Sequence, residues 1–230
     1  MPRTLVLDLD GTIVDSLPDL TAALNRLMAQ RGLAPFPLAD AARLVGDGVQ
    51  RLVERAFAAR GATADAAAVE HYVADYGRNY AVASRLYPGV AATVASLRAA
   101  GWRLAVCTNK LEQPARELLD ALGLAGIFAA IGGGDSFPVR KPDPAHLLAT
   151  LRAAGSAPEQ AVMAGDHAND VTAARGAGLP VIFAAWGYGR PEMAAGADAV
   201  ARDFTELPDL AADLLAAAHR TPGADHARPC

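Results

Sequence analysis

Cysteine is scarce. Only two occur in 230 residues, Cys107 in an apolar run and Cys230 at the end, so neither a disulfide framework nor a thiolate metal cluster is indicated. Positive charge is not in excess either. The formal net charge is −4, which argues against a nucleic-acid or anionic-membrane surface. No apolar run approaches the roughly 20 residues of a membrane span. The G-x-x-x-x-G-K-[ST] phosphate loop is missing, which excludes a Walker-type nucleotide binder. Met1-Pro2-Arg3-Thr4 runs directly into an apolar stretch with no leader pattern, so the expected location is the cytoplasm.

What the chain has is apolar bulk: 52% hydrophobic residues against 20% charged, enough for a sizeable core with room for a smaller insert. The stretch Leu5-Val6-Leu7-Asp8-Leu9-Asp10-Gly11-Thr12-Ile13 begins as a strand buried on both faces of a parallel sheet. Strand alternation puts Asp8 and Asp10 on one side, and Gly11 allows a sharp turn. Between Ile13 and Tyr87 no strand pattern appears. Apolar residues there repeat at helical spacing, as in Leu17, Leu20, Leu24 and Leu27. Afterwards strands over 102–107, 127–131, 161–164 and 180–184 alternate with helices, the last over 207–219. The expected fold is α/β, a Rossmann-like parallel sheet core with an inserted α-helical unit. The expected division is a core of 1–14 and 86–220, a helical insert of 15–85 and a disordered tail of 221–230.

Parallel strands present their carboxyl ends at one edge. Asp8 and Asp10 follow the first strand, Thr108 and Asn109 the second. Lys141 lies in the loop before the fourth, and Asp166 and Asp170 follow that strand. Each has an ordinary reading alone: Thr108 as a strand-end cap, Lys141 as a solvated charge, Asp166 as a helix cap, Asp170 as a helix-dipole partner. Together they describe four crowded carboxylates. These demand a cation, and hard oxygen donors without a His or Cys cluster favour Mg²⁺. Mg²⁺ plus Lys141 supplies too little positive charge for four acids and a phosphate dianion, unless one acid is protonated and able to donate to a leaving oxygen.

Asp8-Leu9-Asp10-Gly11-Thr12, Thr108-Asn109, Lys141-Pro142 and Gly165-Asp166-His167-Ala168-Asn169-Asp170 resemble the four motifs of the haloacid dehalogenase (HAD) superfamily. Within it, Val45-Gly46-Asp47-Gly48-Val49, Cys107-Thr108-Asn109-Lys110, Ile131-Gly132-Gly133-Gly134-Asp135 and Trp186-Gly187-Tyr188-Gly189 are similar to the bacterial phosphoglycolate phosphatases. The resemblance implies a phosphatase acting on a small phosphorylated metabolite, with the helical insert as a cap. Asp8 would be the nucleophile and a metal ligand. Asp10 would be the general acid and base, with its carbonyl on the metal. Thr108, Asn109, Lys141, Gly11 and Thr12 would hold the phosphoryl group, and Asp166 and Asp170 would bind Mg²⁺. The resemblance leaves a monomer or a homodimer open. Gly48 would face the substrate, with Arg43 or Arg51 as candidate partner for a glycolate carboxylate. His167 stands where this family usually has a small hydroxyl residue, and is expected to be a bystander at the mouth.

Rival readings differ in chemistry. A dehalogenase would have no use for the acid at Asp10. A phosphonatase would need a cap lysine, and the stretch from Asp15 to Tyr80 has none. A phosphomutase, or a phosphatase for a sugar phosphate, a nucleotide or pyrophosphate, stays open. A receiver-type signalling module would lack the helical insert and would not turn over p-nitrophenyl phosphate.

Overall fold

The computed structural model describes residues 2–220; the expected disordered tail, 221–230, lies outside the described residues. Strand β1 (Thr4–Leu7) is buried along its whole length. Such a strand needs partners on both edges and cover on both faces. It pairs in parallel with β4 (Arg103–Cys107) and β6 (Ala161–Gly165). β5 (Ala130–Gly132), β7 (Val181–Ala184) and β8 (Ala199–Ala201) complete a six-stranded sheet of order β5-β4-β1-β6-β7-β8, parallel throughout. β8 is a strand the sequence did not reveal: three residues, one of them exposed, are too few to show a period.

Alternate residues of β1 serve opposite layers. Leu5 and Leu7 join the core beneath α5 (Val90–Ala99), α6 (Glu112–Ala121) and α9 (Leu207–Arg220). Val6 joins the core beneath α7 (Pro144–Ala153) and α8 (Ala168–Gly176). Truncating a fully buried leucine such as Leu7 to alanine would cost about 2–5 kcal/mol. The doubly covered sheet expected from the sequence is present.

The helices α1 (Leu17–Gln30), α2 (Leu38–Ala42), α3 (Val49–Ala58) and α4 (Ala66–Asn79) surround a separate cluster that includes Leu24, Met28, Val53, Phe57 and Tyr72. Two crossings join them to the sheet. Contrary to the reading of no strand between Ile13 and Tyr87, β2 (Val14–Asp15) pairs antiparallel with β3 (Arg85–Leu86). Buried Asp19 ties the same crossing, accepting hydrogen bonds from the Ala83 and Ser84 N–H groups at 3.0 and 2.8 Å and from Ser84 Oγ at 2.8 Å. Among the described residues no helix is long and apolar enough to cross a membrane.

Candidate active site

The Asp8 N–H donates to the Ala164 carbonyl at 2.9 Å, which fixes Asp8 at the carboxyl edge of the sheet. The chain then coils. Gly11 takes φ +87°, a left-handed conformation suited to glycine, and its N–H closes on the Val14 carbonyl at 2.9 Å. Strand alternation therefore stops short of Asp10, and the two acids part company. Asp8 faces Lys141, Asp166 and Asp170, whereas Asp10 faces Ser16 and Lys110.

Lys141 Nζ lies 2.9 Å from Asp8 Oδ1 and 2.6 Å from Asp170 Oδ1, with almost no exposure. It is not the solvated loop charge it resembles alone. Burial opposes its charge, but Asp170 and Asp8 outweigh that and raise its pKa above the ordinary lysine value. The loop carrying it is pinned on both sides. His146 Nδ1 accepts the Lys141 N–H at 3.2 Å, and Asn109 Nδ2 donates to the Lys141 carbonyl at 2.9 Å.

Asp8, Asp166 and Asp170 each place a carboxylate oxygen within 4.8 Å of the others, all buried. Burial, tempered by Lys141, pushes Asp8 up to about 6. Burial, with repulsion from Asp8 and Asp170, pushes Asp166 up to about 8. Asp8 and Asp170 share the Lys141 ammonium with Asp166 beside them, and this all-oxygen donor set fits a hard divalent cation.

Asp166 is not the cap of α8; His167 is. His167 Nδ1 accepts the Asn169 N–H at 3.2 Å, and Asp170 Oδ2 accepts the His167 N–H at 3.0 Å, a reciprocal capping box. Asp166 is instead held by Thr12 Oγ1 at 3.2 Å and by the N–H groups of Tyr188 and Gly189 at 2.7 and 3.2 Å. A Cβ on Gly11 or Gly187 would collide with its carboxylate. Gly11 and Thr12, expected on the phosphoryl group, thus spend their contacts on the turn and on Asp166. Tyr188 has a second task. Its hydroxyl accepts the Ser16 and Leu17 N–H groups at 2.7 and 2.9 Å, capping α1. The Ser16 hydroxyl is unavailable for that purpose because it donates to Asp10 Oδ1 at 2.5 Å.

Lys110 is a group that sequence reasoning passed over. Its ammonium stands 3.2 Å from both oxygens of Asp10 and 2.8 Å from the Tyr76 hydroxyl, and lies over the Tyr76 ring. Burial opposes its charge, but Asp10 and Tyr76 outweigh it and raise its pKa. No local signal marks it, because its partner Tyr76 comes from α4. The charge count based on Lys141 alone is therefore corrected: a second buried ammonium serves the site.

Thr108 is buried, with its N–H on the Gly132 carbonyl at 2.9 Å. Asn109 reaches the helical unit as well as the sheet, donating to the Gly46 carbonyl at 2.9 Å. Asn169 Nδ2 donates to Asp47 Oδ1 at 2.6 Å, so the 46–48 loop is seated on the core. His167 is no bystander, since a Cβ on Gly46 would come within 2.7 Å of its ring.

Two adjoining cavities open on Asp8 and Asp10. One is walled by Val45, Val49, Leu52, Val73 and Tyr76 of the helical unit, with Gly48, Thr108, Asn109 and Lys110. The other is walled by Arg43, Asp166, His167, Tyr188 and Arg190. Gly48 borders the first of these cavities. Arg51 instead turns to Glu54 at 2.8 Å on an exposed face of α3.

Residues 2–178 match the family model of the haloacid dehalogenase-like hydrolases. A phosphoglycolate phosphatase of Rhodospirillum rubrum is 45% identical over 218 residues, spanning 91% of this chain and 90% of its own. One of Caulobacter vibrioides is 42% identical over 217 residues, spanning 92% of each. Among solved structures, a protein described as a predicted phosphoglycolate phosphatase from Haemophilus somnus superposes with a TM-score of 0.84 at 31% identity, covering 91% of this chain and 97% of its own. CbbY from Rhodobacter sphaeroides, solved with xylulose-1,5-bisphosphate, gives 0.78 at 27% identity, covering 90% and 96%. The chain belongs to the haloacid dehalogenase-like hydrolases. It is an enzyme of the phosphatase kind, a phosphoric monoester hydrolase.

Proposed function

We propose that the enzyme hydrolyses 2-phosphoglycolate to glycolate and phosphate through a phosphoryl group carried on Asp8. The observation that supports this most is the single ammonium of Lys141 shared between Asp8 and Asp170, with Asp166 in the same cluster and Asp10 on the wall of the same cavities.

An Asp8 carboxylate oxygen attacks phosphorus, and the bond from phosphorus to the glycolate oxygen breaks. Asp10 delivers a proton to that departing oxygen. In the second half Asp10 takes a proton from water, the water oxygen bonds to phosphorus, and Asp8 is released. Lys141 offsets charge on Asp8 and the phosphoryl oxygens, while Thr108 and Asn109 orient them. Alignment and charge offset are the main needs of such a transfer. Asp8, Asp166, Asp170 and the Asp10 carbonyl are the groups that would hold Mg²⁺, which supplies further charge neutralisation on the phosphoryl oxygens. The helical unit acts as a cap that excludes bulk water during transfer. Gly11 and Thr12 serve by shaping the seat of Asp166.

One observation favours a second reading. Arg43 and Arg190 line the second cavity, two cations beyond what glycolate requires. A sugar phosphate with a second anionic group would use them. Steady-state assays with Mg²⁺ across 2-phosphoglycolate, sugar mono- and bisphosphates, nucleotides and pyrophosphate separate the two. The proposal requires the highest kcat/KM on 2-phosphoglycolate; a sugar bisphosphate at the top would replace it.

A further inference from the structure

The substrate proposal leaves open which group recognises the glycolate end. The two arginines that the sequence offers are poorly placed. Arg51 is exposed and paired with Glu54, and Arg43 is exposed on the wall of the second cavity. Lys110 is placed differently. It lies on the wall of the first cavity beside Asp8, Asp10, Thr108 and Asn109, and its side chain is 7% exposed.

We infer that Lys110 binds the carboxylate of the substrate and makes the enzyme selective for phosphate monoesters that carry an anion on the carbon next to the ester carbon. This rests on the 2-phosphoglycolate reading. The oxygen that Asp10 protonates must come within hydrogen-bond reach of Asp10. In 2-phosphoglycolate the carboxyl carbon is two bonds from that oxygen, so its carboxylate oxygens lie about 3 Å away. Lys110 Nζ is 3.2 Å from both Asp10 oxygens, so an ester oxygen seated on Asp10 brings a carboxylate about 3 Å further along the substrate into the neighbourhood of the ammonium. Among the described residues it is the one cation on the wall of the first cavity. Leu20, Val45, Val49, Leu52 and Val73 line the same cavity and offer a carboxylate no hydrogen bond, which leaves the Lys110 ammonium as its charged partner there.

The hydrogen-bond inventory allows the exchange. An ammonium has three donors. In this structure two go to Asp10 and one to the Tyr76 hydroxyl. When Asp10 turns one oxygen to the leaving group, one donor is released to the substrate carboxylate. Tyr76, stacked on Tyr72 in the helical unit, holds the third donor and aims the ammonium. Neutral substituents of the same size gain nothing from this arrangement, which is the basis of the selectivity.

Binding tests this without depending on turnover. In an Asp8→Asn background with Mg²⁺, calorimetry compares 2-phosphoglycolate with 2-hydroxyethyl phosphate, which replaces the carboxylate by a neutral alcohol. With Lys110 present, 2-phosphoglycolate should bind the more tightly. Adding Lys110→Met should shrink that ratio by about 30-fold, the value of one buried charge-assisted contact. Tyr76→Phe should shrink it by about threefold, and it stands as the second variant should the buried substitution unfold the chain. A ratio unchanged in both variants, with the two esters weakened alike, overturns the inference and leaves Lys110 as a residue that positions Asp10. Weaker binding of 2-phosphoglycolate than of the alcohol before Lys110 is altered overturns the substrate reading itself, and the inference with it.

Discussion

Lys141 Nζ and Asp170 Oδ1 lie 2.6 Å apart, and each side chain is 1% exposed. An ion pair this deep is costly to half-remove, because the survivor is left charged without a partner or water. The same ammonium also holds Asp8 at 2.9 Å. One lysine therefore serves the stability of α8 and the reactivity of the strand end together.

Lys141→Met should accordingly lower unfolding free energy by about 3–5 kcal/mol in urea melts and reduce turnover to background. Pairing it with Asp170→Asn should restore part of the stability and none of the activity. Stability restored together with activity would contradict the catalytic part of its role.

Divalent metal should stabilise the fold, since three buried carboxylates crowd within 4.8 Å of one another. Mg²⁺ at 100 times its dissociation constant would add about 2.7 kcal/mol. The thermal midpoint should rise with Mg²⁺ and fall with EDTA, and Asp166→Asn should flatten that response. An unchanged midpoint in the native enzyme would show that the cluster does not take the ion.

His146 should make the protein sensitive to acid. Burial, reinforced by Lys141, pushes its pKa down to about 4. Nδ1 accepts the Lys141 N–H while Nε2 faces the Gly133 carbonyl at 3.0 Å, so a proton on Nδ1 would oppose another donor. The unfolded chain takes up this proton near pH 6.5, the folded chain only near pH 4. Stability is fully present above about 6.5 and falls through that window, by roughly 2–3 kcal/mol. Urea melts at pH 7 and pH 4.5 should show a smaller loss for His146→Gln than for the native chain. Equal losses would remove His146 as the cause.

Gly46 should resist replacement. Its φ is +119°, and a Cβ would meet the His167 ring at 2.7 Å. Gly46→Ala should unseat the 46–48 loop and lower kcat/KM about tenfold or more, because small misplacements of catalytic groups are amplified in rate. Adding His167→Ala should recover part of the loss by clearing the ring. No recovery would assign the defect to backbone strain alone.

The sheet was legible because β1, β4, β6 and β7 are short apolar runs, and motif residues follow β1, β4 and β6. β2, β3 and β8 escaped notice because two or three residues carry no period. Lys110 escaped for a different reason. Its role depends on Tyr76 arriving from α4, 34 residues earlier in the chain, and no local pattern encodes that meeting. The same holds for Tyr188, which caps α1 from 172 residues away. The separation of Asp8 from Asp10 was hidden in the backbone, since Gly11 permits the coil but does not announce where alternation ends.

Covalent phosphoryl transfer to Asp8 is tested most directly by trapping it. The enzyme is mixed with excess 2-phosphoglycolate and Mg²⁺, quenched in acid within milliseconds and digested for peptide mass spectrometry. A phosphoryl group should appear on the peptide containing Asp8, labile to hydroxylamine and missing from Asp8→Asn. A quenched enzyme with no such adduct, paired with an Asp8→Asn variant that still turns over, would contradict the assignment of Asp8 as nucleophile.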